Sequence, residues 1–138
     1  MNNNELVGKV HNSIYQQIQK SGMAVPVQVL MDVGVLAPSD YENWRDGRVD
    51  YLERVCKVNL SKLSFIMREI RAYAGKSGLN PSWTYYKRRG LKGQKPAVKL
   101  RFSKSGDENI ESSYATHYVS AERINELKNR SQTATEQE

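Results

Sequence analysis

Apolar residues recur at helical spacing in the first half of the chain. One stripe predicts an amphipathic helix over residues 4–21, and a second predicts a helix over residues 60–74. Shorter helical segments are expected after Pro26, after Pro38 and over residues 49–55. The two stripes consist of Leu6, Val10, Ile14 and Ile18, and of Leu63, Ile66, Met67, Ile70 and Ala74.

In the second half of the chain, the pattern of side chains changes from helical spacing to a period of two residues. Residues 98–103 alternate apolar with mostly basic side chains, which is typical of a β-strand. Read with the same period of two, residues 83–89 place Trp83, Tyr85, Lys87 and Arg89 on one face and Thr84, Tyr86 and Arg88 on the other. The glycine- and proline-containing stretch between them predicts a long β-hairpin with a basic tip. Residues 114–119 are rich in aromatic and β-branched residues and are expected to form a third strand. A last short helix is expected over residues 121–129.

This order of elements indicates an α+β fold, with four to five N-terminal helices followed by a basic β-hairpin and a short third strand. The length of 138 residues fits one compact domain, which we assign to residues 1–130. Residues 131–138 hold no large apolar side chain and are expected to form a disordered tail.

Composition excludes several classes of protein. No apolar run approaches the roughly 20 residues that a membrane helix needs, so an integral membrane protein is not expected. The N-terminus lacks a basic segment followed by an apolar one, so no secretory signal is visible. A single cysteine, Cys56, excludes an internal disulfide framework. We therefore expect a cytoplasmic protein.

The net charge of +6 is concentrated in the middle of the chain. Residues 77–105 carry eight basic and no acidic side chains, and residues 51–76 carry six basic and two acidic ones. The two ends of the chain are acidic by comparison. Such a basic block is the usual mark of a surface that binds a polyanion, because neutralising phosphates releases condensed counterions. It predicts nucleic acid as the partner, with DNA favoured over RNA.

The hairpin mixes aromatic and basic residues, beginning with the sequence WTYYKRR over residues 83–89. Aromatic rings stack on bases, and guanidinium groups make bidentate contacts with phosphates. We expect Trp83 to pack in the core and the basic side chains to contact nucleic acid. The other interpretation is a solvated basic hairpin that only keeps the protein soluble. The expected contacts are Lys87, Arg88, Arg89, Lys92, Lys95, Lys99 and Arg101.

The helix over residues 60–74 is the better candidate for reading bases, through Lys62, Arg68 and Arg71. The helix over residues 40–46 follows a glycine turn that resembles the one in helix-turn-helix proteins, which would make residues 41–45 the reader. Its acidic residues Asp40, Glu42 and Asp46 would however face phosphates at close range, which is costly. The alternative for the 60–74 helix is an amphipathic core helix whose basic face is merely hydrated.

The order of elements over residues 25–119, a helical reader followed by a basic β-wing, resembles that of winged helix-turn-helix domains. The resemblance lies in element order and in the placement of charge. It implies a DNA-binding protein in which the helix reads bases and the hairpin holds phosphates.

A protein-interaction or adaptor module is the second hypothesis. Its anchors would be Tyr41, Trp44 and Tyr51, because tryptophan, tyrosine and arginine are the usual anchors of interfaces. This hypothesis requires an exposed Trp44. We favour the opposite interpretation, in which Trp44 fills the core.

An enzyme is not expected. His11 and His117 are far apart in sequence and lack the spacing of metal ligands, and no phosphate-cradling loop is present. His117 could act as a base only beside an acid such as Glu111. Arg54 and Lys57 could lower the pKa of Cys56, but we interpret this cysteine as a buried small apolar residue. The sequence predicts neither a cofactor nor a metal site.

Overall fold

The computed structural model describes residues 2–90 and 98–136, and the side chains up to residue 130. It is an α+β fold with six α-helices, one short 3₁₀ helix and a three-stranded antiparallel sheet in these ranges. The elements in chain order are α1 (Asn3–Ser21), β1 (Met23–Ala24), α2 (Pro26–Asp32), α3 (Pro38–Arg45), the 3₁₀ helix (Leu52–Val55), α4 (Leu60–Lys76), β2 (Asn80–Trp83), α5 (Glu108–Ala115), β3 (Thr116–Val119) and α6 (Ala121–Glu136).

The two long helices form where the apolar stripes predicted them, and they pack against each other. Asn2 caps α1 by accepting a hydrogen bond from the amide of Glu5, and Asn59 caps α4 in the same way. Their apolar stripes are buried in the core. Gly22 ends α1 at a φ of 80°, and a β-carbon there would collide with Ile124 of α6. Only glycine adopts this positive φ without strain and also leaves room for Ile124.

The central strand of the sheet is β3, with β1 and β2 on either side. Pro81 lies opposite Tyr118, and Trp83 lies opposite Thr116. The prediction of a strand over residues 83–89 is therefore wrong. The regular strand β2 ends at Trp83, the residue at which the predicted strand begins. β3 also begins later than the predicted residue 114, because α5 precedes it directly.

The hairpin arms after β2 meet outside the sheet. Lys87 and Lys99 form an isolated antiparallel bridge, and the amide of Leu100 donates to the carbonyl oxygen of Tyr86. The arms leave the sheet because Tyr86 and Leu100 turn inward to the core. The arms therefore lie beside α3 and do not extend the sheet.

The core is centred on Trp44 of α3, which is fully buried. Its ring contacts Tyr86 and Phe102 from the hairpin arms, with ring centroids 5.7 and 5.0 Å away. Phe102 stacks in turn on Tyr114 of α5 at 5.4 Å. This aromatic cluster joins α3, the hairpin and α5, and it fixes which side of the hairpin faces out.

The last helix continues past its predicted end at residue 129, because no proline or glycine follows to stop it. The division into a domain over residues 1–130 and a disordered tail over residues 131–138 stays a prediction. Among the helices of the described ranges, none is both long and apolar enough to cross a lipid bilayer.

Candidate nucleic-acid interface

The outward side of the hairpin carries two exposed aromatic rings and two lysines. Trp83 is 57% exposed and Tyr85 is 39% exposed, and their ring centroids are 6.1 Å apart. Lys87 and Lys99 are exposed beside them. We call these four residues the outer hairpin face. The prediction that Trp83 packs in the core is wrong, because the core side of this arm is taken by Tyr86.

The two lysines of the outer hairpin face lie directly opposite each other. The Nζ of Lys87 is 5.7 Å from the ring centroid of Tyr85, and the Nζ of Lys99 is 5.9 Å from it and 6.0 Å from that of Trp83. Neither ammonium group has a carboxylate partner in the described part of the chain. Like charges opposite each other on paired strands are destabilising. An external anion would relieve that repulsion.

The neighbouring arginines have internal partners instead. Arg89 forms ion pairs with Glu42 and with Asp46 of the α3 end, the latter at 3.3 Å. The hydrogen bond that Arg89 donates to the carboxylate of Glu42 raises the pKa of the Arg89 guanidinium. Arg88 donates from Nε to the carbonyl oxygen of Asp46 at 3.2 Å and passes over Gly47. Both arginines dock the hairpin on α3, a role that the sequence did not indicate.

Arg101 lies on the second arm and turns toward the loop that follows it. Its Nε donates to the carbonyl oxygen of Ser103 at 2.9 Å and its Nη2 to that of Lys104 at 3.4 Å. Its Cζ lies 5.1 Å from the ring centroid of Tyr51. Arg101 therefore orders this loop. Two further predicted contacts, Lys92 and Lys95, lie outside the described residues.

On α4, Arg68 and Arg71 are exposed, as the apolar stripe predicted. They line a groove of about 680 Å³ between α4 and α5, together with Lys104. Lys62 lies elsewhere on the helix, where its Nζ donates to Oδ1 of Asn3 at 2.8 Å. Lys62 does not line this groove, although it shares a smaller pocket with Arg68. The structure adds Lys104 to the groove, a residue that the sequence analysis missed although it ends the basic block.

The second hypothesis, a protein-interaction surface anchored by Tyr41, Trp44 and Tyr51, requires an exposed Trp44, and Trp44 is not exposed. Trp44 is 0% exposed, and its indole N–H donates to the carbonyl oxygen of Arg101 at 2.8 Å. The prediction that Trp44 fills the core is confirmed. Tyr41 and Tyr51 are half-buried against Arg45 and Arg101.

His117 faces a cleft on the inner side of the hairpin. Its Nε2 lies 2.9 Å from the hydroxyl of Tyr86, and no carboxylate adjoins it among the described residues. Burial lowers the pKa of His117, and burial raises the pKa of Tyr86. Glu111, the acid that the sequence suggested as a partner for His117, instead accepts hydrogen bonds from the backbone amides of Phe102 and Ser103.

The free energy of unfolding is expected to decrease as the pH falls below about 6.5, the ordinary pKa of histidine. The unfolded chain takes up a proton there, whereas folded His117 resists protonation until a lower pH. Urea unfolding between about pH 7.5 and about pH 5.5 measures this loss. The His117→Gln variant should lose less stability over that range, and a profile identical to that of the wild type would contradict the assignment.

Cys56 is not an activated thiol. Its side chain packs against the core, and burial raises the pKa of Cys56 to about 12, with Glu53 and Asp40 adding to the effect. The interpretation of Cys56 as a buried small residue agrees with this environment.

No group of three or more potential metal ligands lies together within residues 2–90 and 98–136. Comparison of the chain with protein-family models, with curated proteins and with solved structures finds no match.

Proposed function

We propose that the protein binds nucleic acid, with DNA favoured over RNA, and that the outer hairpin face holds a single strand. The observation that carries the proposal is the pair of facing lysines without acidic partners beside two exposed rings. Bases stack on exposed aromatic rings with little sequence preference, and lysines follow the backbone. An exposed lysine gains only about 0.5–1 kcal/mol from a ring, so a phosphate replaces that contact readily.

The basic residues of α4 extend the proposed surface. Arg101 is bonded to the backbone of Lys104, and the side chain of Lys104 shares a groove with Arg68 and Arg71. A chain of contacts therefore runs from the second hairpin arm to α4. In this proposal α4 takes the place of the reading helix, and the hairpin takes that of the wing in a winged-helix arrangement.

The affinity for nucleic acid is expected to fall steeply as the salt concentration rises, and Lys87 and Lys99 should account for part of this dependence. Replacing Lys87 and Lys99 together with glutamine should weaken binding to all sequences and reduce the slope of log K against log salt by about one unit per lost phosphate contact. Titrations of single-stranded DNA, duplex DNA and RNA at several salt concentrations measure this. The matched control replaces Lys9 and Lys128 with glutamine, two exposed lysines on α1 and α6 outside the proposed surface, and should leave the slope close to that of the wild type. Wild-type protein that binds none of the three nucleic acids would end the proposal.

Replacing Arg68 or Arg71 with alanine is expected to change stability by less than about 0.5 kcal/mol, because both side chains are exposed. The loss of a bidentate base contact should reduce discrimination between a preferred and a scrambled oligonucleotide by about 1–3 kcal/mol. Titration of each variant against both oligonucleotides at fixed salt tests this. Variants that keep wild-type discrimination would show that α4 is only a scaffold.

A further inference from the structure

A cleft of about 810 Å³ opens on the inner side of the hairpin. Its walls come from α1, α2, α3, residues 84–86 and β3. Tyr85 belongs both to this wall and to the outer hairpin face, so the cleft adjoins the proposed strand-binding surface. The volume lies in the range of small-molecule sites, roughly 300–1,000 Å³.

Arg45 places its guanidinium group in the wall of this cleft. Its Nη1 donates to the hydroxyl of Tyr41 at 3.1 Å, its Nη2 points to the carbonyl oxygen of Lys87 at 3.4 Å, and its Cζ lies 5.3 Å from the ring centroid of Tyr86. Its Nε is buried and has no hydrogen-bond partner among the described residues. Such groups are rare in folded proteins. Because this atom has almost no exposed surface, the cleft offers a ligand the charge of the guanidinium group and not this N–H.

The charges of the wall favour an anion. Lys20 stands at the rim with Arg45 deeper in, and the acidic side chain of the wall is Asp32. Both carboxylate oxygens of Asp32 already accept hydrogen bonds, from the hydroxyl of Ser13 at 2.7 Å and the amide of Gln28 at 2.9 Å. The acid is therefore tied to the protein, whereas the guanidinium group of Arg45 has no carboxylate partner among the described residues.

The rest of the wall suits a flat, polar ring. Tyr85 and Tyr86 present aromatic surfaces, and Gln16 presents an amide with no hydrogen bond among the described residues. Because burial lowers the pKa of His117, its imidazole is neutral near pH 7. Its Nε2 is engaged with the hydroxyl of Tyr86, which leaves Nδ1 as the ring nitrogen that a ligand could meet. Amide side chains and aromatic faces are the groups that recognise unstacked nucleobases.

We infer that the cleft binds one nucleoside monophosphate unit, with its phosphate on Arg45 and Lys20 and its base against Tyr85 and Gln16. The inference rests on the proposed function in taking this unit to be one unstacked nucleotide of the bound strand. A free mononucleotide has the same chemistry, so the experiment must separate the two sources.

The test is titration of thymidine 5′-monophosphate into the full-length protein, followed by amide NMR shifts. Arg45→Lys keeps the charge but loses the planar fork, and it should weaken binding about tenfold. Lys20→Gln should weaken binding by a smaller factor and acts at an exposed position, so it is informative even if Arg45→Lys unfolds the chain. Lys9→Gln on the same helix should leave mononucleotide binding unchanged, because Lys9 is exposed and does not line the cleft. Thymidine alone and inorganic phosphate should each bind more weakly than the nucleotide.

Three outcomes separate the inference from the proposed function. Binding of both the mononucleotide and a thymidine oligonucleotide, each weakened by Arg45→Lys, supports the inference. Oligonucleotide binding without mononucleotide binding or cleft shifts overturns the inference and leaves the proposed function intact. Mononucleotide binding without any oligonucleotide binding overturns the proposed function and the assignment to a strand.

Discussion

Replacing Trp83 with alanine is expected to weaken the binding of single-stranded DNA about 5- to 150-fold, the equivalent of about 1–3 kcal/mol for one lost base stack. The indole is 57% exposed and lies beside the Tyr85 ring and the ammonium group of Lys99, so its removal takes away the stacking surface with little repacking. Tyr85→Ala should act in the same direction. Fluorescence titration of a labelled thymidine oligonucleotide at fixed salt measures both variants.

The matched control is Tyr15→Ala. Tyr15 is 52% exposed on α1, outside the proposed surface, and its removal should leave DNA affinity unchanged. Trp83→Ala should also keep the thermal stability of the wild type to within about 0.5 kcal/mol, since it deletes an exposed side chain. An affinity loss equal in the Tyr15 and Trp83 variants would mean that the rings act through general surface hydrophobicity and not through stacking.

The behaviour of the two tryptophans shows what the sequence could and could not predict about the hairpin. Alternation correctly groups Trp83 with Tyr85 and Lys87 on one face and Tyr86 on the other. It cannot indicate which face is buried, because both faces carry aromatic rings and a shift of one residue exchanges them. That choice is made by Trp44, whose ring packs on Tyr86 from a helix far away in sequence.

Tertiary packing also decides which basic residues of the hairpin have partners within the protein. Local sequence predicts that Lys87, Arg88 and Arg89 are exposed and charged, and they are. It does not reveal that Glu42 and Asp46 meet Arg89, because those acids lie on α3 and their approach depends on tertiary packing. The long periodic helices were predictable, and so were the short helices after Pro26 and Pro38, whereas α5 and β1 were not.

The short elements depend on contacts that periodicity does not encode. The helix α5 was missed because its eight residues hold a weak apolar pattern, and it begins where Asp107 accepts from the amides of Asn109 and Ile110. The strand β1 has two residues and exists only through its pairing with β3. Neither feature has a sequence signature long enough to read.

Replacing Trp44 with alanine is expected to lower the free energy of unfolding by about 3–5 kcal/mol, because it leaves a large cavity in the aromatic cluster. The indole contacts Tyr41, Tyr86 and Phe102, and it lies between α3 and both hairpin arms. A loss of that size is a large part of the roughly 5–15 kcal/mol that stabilises a typical domain. Urea unfolding monitored by circular dichroism measures the change, and the melting temperature should fall by roughly 10 °C or more.

Trp44→Phe separates the packing of the ring from its hydrogen bond. Phenylalanine keeps much of the aromatic contact but removes the N–H that donates to the carbonyl oxygen of Arg101. That oxygen also accepts from the amide of Leu52 at 3.2 Å, so it does not lose every partner. The variant should therefore lose less stability than Trp44→Ala, with about 1 kcal/mol attributable to the hydrogen bond. If Trp44→Ala were as stable as the wild type, the hairpin would not be held on α3 by this ring, and the outward orientation of Trp83 would lose its physical cause.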